Sequence, residues 1–141
     1  MSRAWTEDDA ALAQHRQMLR AFERNGGTFN CDEVGFLLEG KIEQPVSNLA
    51  RWIVSRAVVS FTWRSQTFLP MFQFDLVTMT PRAGALQVIR ELADVFDDWE
   101  LAHWYSQPHS SLDGAVPVDV MEFDQPAVLK VARADRFIVR G

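Results

Sequence analysis

A chain of 141 residues can build one compact core, or two small modules that lean on each other, but not two independent domains of ordinary size. Apolar residues make up 48% and aromatics 11%, with five Trp and ten Phe, so burial can offset the ordering of most of the backbone and intrinsic disorder is excluded. The net charge of -5 argues against attraction of nucleic acid over the whole surface, yet two basic islands stand out: Lys41, Arg51, Arg56 and Arg64 against Glu43, and Lys130, Arg133, Arg136 and Arg140 against Asp135.

No apolar run approaches the roughly 20 residues of a bilayer span, and the opening segment has no secretory apolar stretch. The expectation is a cytoplasmic protein without membrane contact. Cys31 is the single cysteine, so neither an internal disulfide nor a zinc finger is available, and it reads as a small buried hydrophobe.

In chain order, Thr6 followed by Asp9 opens a first helix of about five turns, with Leu12, His15, Leu19 and Phe22 at helical spacing until Asn25-Gly26-Gly27 stops it. This segment spans residues 1–27. Asn30 with Glu33 three residues later starts a short second helix, whose apolar face is Val34, Leu37 and Leu38 and which ends at Gly40. Pro45 opens a third helix, with Val46, Leu49, Ala50 and Ile53 as its buried stripe and Ser47, Asn48, Arg51 and Ser55 opposite. Two helices joined by a short turn, with the polar and basic side chains on the second, follow the helix-turn-helix pattern.

The period then changes to two. Val59, Phe61 and Trp63 alternate with polar residues, as do Phe68, Pro70, Phe72 and Phe74, which predicts a β-hairpin with its tip at Arg64. Pro70 lacks a ladder donor, so the second strand should be short or at an edge. Residues 28–77 thus read as a winged helix-turn-helix-like unit, with Ser47, Asn48, Arg51, Arg56 and Arg64 as candidate DNA contacts. The alternative is that the hairpin only completes the core.

Thr78 to Gly84 marks a boundary, and residues 84–141 read as entirely helical. Leu86, Ile89, Leu92, Ala93 and Phe96 trace one helix; Asp98 caps a second holding Trp99, Leu101, Ala102, Trp104 and Tyr105. A loop at Gln107–Ser111 follows, Pro117 opens a short helix through Met121, and Asp124 with Pro126 starts the last. The predicted class is mainly α with one β-hairpin, an α+β fold.

Catalytic constellations are missing from the sequence. His15, His103 and His109 have no ligand partners at metal spacing, and Asp97, Asp98 and Glu100 are accounted for by the dipole of the helix they open. There is no phosphate-binding glycine loop and no nucleophile elbow. The expectation is a protein that is not an enzyme and carries no metal or cofactor.

Trp104, Pro108, His109, Leu112, Gly114, Pro117 and Asp119 are spaced as WxxxPHxxLxGxxPxD. Pro108 and Pro117 fix backbone φ on either side of a loop, and Gly114 permits a turn that a Cβ would obstruct, so Trp104 and Leu112 can be held together in a rigid corner. This spacing resembles the toxin-binding domain of Xre/MbcA/ParS antitoxins, over roughly Leu86 to Gly141. Tyr105, His109 and Val120-Met121 depart from the usual Leu, Asn and Leu-Leu. The resemblance implies a bacterial antitoxin, a homo-oligomer, that neutralises a cognate toxin, often of the RES type, by docking on its active site. It further implies that His109, Lys130, Arg133, Arg136, Phe137 and Arg140 face that partner. Residues 31–75 are more similar to a MerR-like or excisionase-like winged unit, which implies operator DNA as a second partner. The alternative is a transcriptional regulator whose C-terminal helices serve dimerisation only.

Overall fold

A computed structural model describes residues 7–140, so the Thr6 start signal lies outside the described residues. The first helix, α1 (Glu7–Glu23), buries His15, Met18, Ala21 and Phe22. It is followed by a strand that the sequence reading missed, β1 (Thr28–Asn30), and β1 runs directly into α2 (Cys31–Leu38). The expected capping box is formed: Asn30 Oδ1 accepts from Glu33 N at 2.9 Å, and Glu33 Oε1 accepts from Asn30 N at 3.0 Å. Helix α3 (Pro45–Val54) begins at its proline, as expected. Its predicted buried stripe is only partly buried: Leu49 is covered, whereas Val46 is 75% exposed and Ala50 is exposed as well. Cys31 is half-buried rather than enclosed.

The hairpin is present as β2 (Phe61–Trp63) and β3 (Gln66–Pro70), paired Phe61 to Phe68 and Trp63 to Gln66. Arg64 and Ser65 form its tip, both at positive φ (49° and 68°), as a two-residue primed turn requires. Strand β3 is short but central, not at an edge, because β1 pairs with its other side in the order β1-β3-β2. Pro70 is tolerated there as the last residue of the ladder, opposite Thr28. The expected run through Phe72 and Phe74 breaks into a 3₁₀ turn (Met71–Gln73), and Phe74 starts a separate two-stranded ribbon, β4 (Phe74–Asp75) with β5 (Thr80–Pro81).

Alternation along this segment separates two cores. Phe61, Phe68 and Phe72 pack into the first, with α1 and the later helices; Leu69, Met71 and Phe74 pack into the second, with Val34 and Leu38 of α2 and Leu49 of α3. Fully buried Gln73 completes the wall between them. Its Oε1 accepts from Val59 N at 2.6 Å, and its Nε2 donates to the carbonyls of Val59 at 2.8 Å and Pro70 at 2.9 Å, standing in for a missing strand partner.

From Ala83 the described chain is helical: α4 (Ala83–Leu92), α5 (Asp98–Ser106), a 3₁₀ turn (Ser110–Leu112), α6 (Pro117–Val120) and α7 (Gln125–Arg140). The cap of α5 is Asp97, one residue earlier than predicted, because Asp97 is the residue in extended conformation and its carboxylate accepts from Glu100 N at 2.8 Å. Asp124 caps α7 by accepting from Ala127 N at 3.2 Å. The protein is thus mostly helical with a small antiparallel sheet. No described helix is long and apolar enough to cross a membrane.

Candidate functional site

The WxxxPHxxLxGxxPxD segment folds as a corner between α5 and α6, with α7 closing its open side. Helix α5 delivers Trp104 near its C-terminal end, 8% exposed, and the chain then leaves helical geometry through Gln107 and Pro108. His109 caps the following 3₁₀ turn: its Nδ1 accepts from Ser111 N at 3.1 Å. That contact places the neutral ring's proton on Nε2, which donates to Asp135 Oδ2 of α7 at 2.7 Å. Trp104 Nε1 donates to the same oxygen at 2.7 Å. One carboxylate therefore ties both ends of the motif's first half to α7. Sequence spacing holds no signal for this, since Asp135 lies 31 residues from Trp104.

The rest of the loop closes on itself through the His109 backbone. Its N–H donates to Ala115 O, and its carbonyl accepts from Leu112 N and Gly114 N, each at 3.0 Å. Asp113 and Gly114 are successive left-handed residues at φ 56° and 81°. A Cβ on Gly114 would meet nothing within 4 Å, so the glycine is required for its backbone angle and not for space, which corrects the expected obstruction. Leu112 and Trp104 belong to the same core.

Pro117 opens α6 and sets Asp119 against the end of α1, where it pairs with Arg24 at 2.8 Å and accepts from Asn25 Nδ2 at 2.7 Å. Burial alone would raise the Asp119 carboxyl, but the Arg24 and Asn25 hydrogen bonds outweigh it and hold the group below the usual range. The motif's acidic residue is thus a tie to the first helix, whose Gln17 also donates to the Ser106 carbonyl.

Two of the expected partner contacts point inward. His109 is engaged as above, and Arg136 binds Asp94 at 3.0 Å and the Glu91 carbonyl at 3.1 Å, fastening α7 to α4. The others share a face. Lys130, Arg133 and Phe137 are exposed on the side of α7 opposite buried Val128, Val131 and Ala132, Ala134 and Ile138 are exposed along the edge of that side, with Ile138 one heptad beyond Val131, and Arg140 is exposed in its last turn. Arg133 reaches Glu91 at 3.2 Å while staying largely exposed. Beside the corner, Phe96, His103, Trp104, Pro108 and His109 line a groove of about 260 Å³. Burial pushes the His103 imidazole toward its neutral form.

The expected DNA contacts are divided in the same way. Ser47 and Arg51 are exposed on α3, and Arg64 sits at the hairpin tip, 5.2 Å from the Trp63 ring. Asn48 instead turns back on the helix entry, donating to the Glu43 carbonyl at 2.6 Å. Arg56, read as a phosphate contact, is held within the fold: it donates to the carbonyls of Ala93 at 2.6 Å and Phe96 at 2.8 Å and pairs with Asp98 at 2.9 Å. The apolar exposure of Phe36, Val46 and Val54 around this face was not anticipated.

Among the described residues, no three His, Cys, Asp or Glu side chains gather where they could hold a metal ion. Compared with known proteins, the chain matches no family model, no curated protein and no solved structure.

Proposed function

We propose that this chain is an antitoxin-like binding protein that docks onto a cognate toxin through the solvent face of α7 and silences it. The observation that supports this reading is the display of Phe137 and Ile138, 80% and 73% exposed, on a helix fastened along its inner side by Asp135 and Arg136. Large apolar side chains beside Lys130 and Arg133 on a preordered helix suit protein recognition, because little order is lost on binding. The WxxxPHxxLxGxxPxD spacing adds the antitoxin resemblance, and with it a RES-type enzyme as the class of toxin. On the same reading α2, α3 and the hairpin form a winged helix-turn-helix-like unit that contacts operator DNA through Ser47, Arg51 and Arg64, and the protein works in the cytoplasm.

The test is co-expression with the product of the neighbouring gene. The wild-type chain should co-purify with it and restore growth, and Phe137→Asp, which touches no buried contact, should stay folded and fail. Full protection by Phe137→Asp would sink the role of α7. For DNA, Arg51→Ala should weaken operator binding by about 1 to 3 kcal/mol, with steep salt dependence. A flat salt response would remove that part of the reading.

A further inference from the structure

A second groove lies far from the corner in sequence, on α2. It holds about 410 Å³ and is lined by Phe29, Asp32, Glu33, Phe36 and Leu37. Phe36 is 75% exposed although it sits on an otherwise well-capped helix whose inner face, Val34 and Leu38, is fully covered. Large solvent-facing aromatics beside an apolar groove mark a contact surface rather than a packing remainder.

The groove's charge narrows what it takes. From Cys31 to Glu39 the ionised side chains are Asp32, Glu33 and Glu39, with no basic residue among them. A phosphate backbone is repelled there, and an apolar helix carrying positive charge is favoured. The solvent face of α7 has this chemistry. Ala134, Phe137 and Ile138 stand at i, i+3 and i+4, the spacing by which a helix seats in an apolar groove, and Lys130 and Arg133 flank them. Because α7 is fastened along α4 and to the corner, that face turns outward and meets such a groove only on another molecule.

We infer that the α2 groove receives the solvent face of α7 from a second copy of this chain, with Phe137 and Ile138 against Phe36 and Leu37, and Lys130 and Arg133 toward Asp32 and Glu33. Exchange in both directions about a two-fold axis closes the pair and doubles the buried area, whereas exchange in one direction would propagate as a chain. Groove-to-groove pairing is disfavoured, since it sets Asp32 and Glu33 against their own copies. The inference does not rest on the toxin reading. The two share the α7 face, so a bound partner and a second copy would exclude each other.

The experiment is native mass spectrometry and sedimentation of the full chain over a concentration series. The wild type should form dimers, and Phe36→Asp and Phe137→Asp should each weaken the association on the order of ten-fold or more while circular dichroism stays unchanged. An equimolar mixture of the two variants should recover heterodimer, since one intact groove then meets one intact α7 face. Pairing Asp32→Lys with Lys130→Glu in one chain should restore what each substitution loses alone. A monomeric wild type, association that survives either aspartate, or a mixture that stays monomeric would overturn the inference. Phe36→Asp leaves the α7 face intact, so loss of the dimer with retained toxin protection separates this inference from the proposed function.

Discussion

The α4–α7 half and the α2–α3 pair are both small helical units, and they are held in different ways. Around the corner the decisive contacts span long sequence distances: Asp135 to Trp104 and His109, Asp119 to Arg24 and Asn25, Arg56 to the end of α4 and to α5. The α2–α3 pair relies on local polar contacts, Asn30 with Glu33 and Asn48 with the Glu43 carbonyl, over its own apolar core. Long-range polar ties fix a side chain's neighbours as well as its helix. On the α2–α3 pair Phe36, Val46 and Val54 are left outside, as Phe137 and Ile138 are near the end of α7. The corner is therefore a place of defined geometry, and α2–α3 a locally held unit that presents an apolar surface.

If that contrast is right, the largest loss of stability should come from the corner's shared tie. Trp104→Ala removes a buried indole and one of the two donors to Asp135, and should destabilise by about 3 to 5 kcal/mol in a denaturant titration. An equivalent change at exposed Val54, to Ser, should stay within about 0.5 kcal/mol. Equal effects at the two positions would erase the contrast. Gln73→Leu is next: it fits the wall between the cores but strands the Val59 N–H and the carbonyls of Val59 and Pro70, an expected loss of about 2 to 4 kcal/mol. A neutral result would mean that Val59 finds other partners and the wall is looser than its hydrogen bonds suggest.

A smaller, pH-dependent effect is expected where α1 meets the hairpin and α5. His15 is buried, stacked 4.4 Å from the Trp63 ring, and next to Phe61, Phe68 and Trp99. Burial, and then the Arg64 charge, lowers its pKa from the ordinary 6.5. The unfolded chain then binds the proton more readily than the folded one. The His15 contribution is therefore fully present above pH 6.5 and is lost as the pH falls below that value. Melting temperature should drop between pH 7 and pH 5, and His15→Phe should flatten part of the drop. An unchanged slope in that variant would assign the acid sensitivity to other groups, His103 first.

Helix positions were legible because their signals are local: Asn30 with Glu33, Pro45, Pro117, and Asp124 with Pro126 all stand at or beside helix starts. Strand β1 was hidden because three residues carry no period, and Thr28–Asn30 becomes a strand only through β3. Central placement of β3 was hidden for the same reason. The basic islands were visible as composition, but composition does not show direction. Arg56 and Arg136 turn into the fold because backbone carbonyls at the end of α4 need donors, while Lys130 and Arg133 stay outside. Phe36 could have been noticed as an apolar side chain off the inner stripe of its helix, whereas Val46 stands on the expected stripe of α3 and its exposure is visible only in the structure.

The smallest effect tests whether the interior beside the corner is dry. Tyr105, where the resembled motif has Leu, is fully buried, packs 4.8 Å from the Phe72 ring and 5.3 Å from Trp104, and its hydroxyl has no hydrogen-bond partner among the described residues. Burial pushes the phenol far above its ordinary pKa, so it stays neutral. An unpaired buried hydroxyl contributes nothing in return for its desolvation, whereas the ring fills the core. Tyr105→Phe keeps the ring and removes only the oxygen, so it should leave stability unchanged or raise it by up to about 1 kcal/mol. Thermal unfolding of the two proteins side by side measures this directly. A clear loss of stability would mean that the hydroxyl is satisfied in solution by an enclosed water, which needs further polar partners of its own. The corner would then hold a wet seam between α5 and the sheet, and its definition would rest less on packing and more on the polar ties at Asp135 and Asp119.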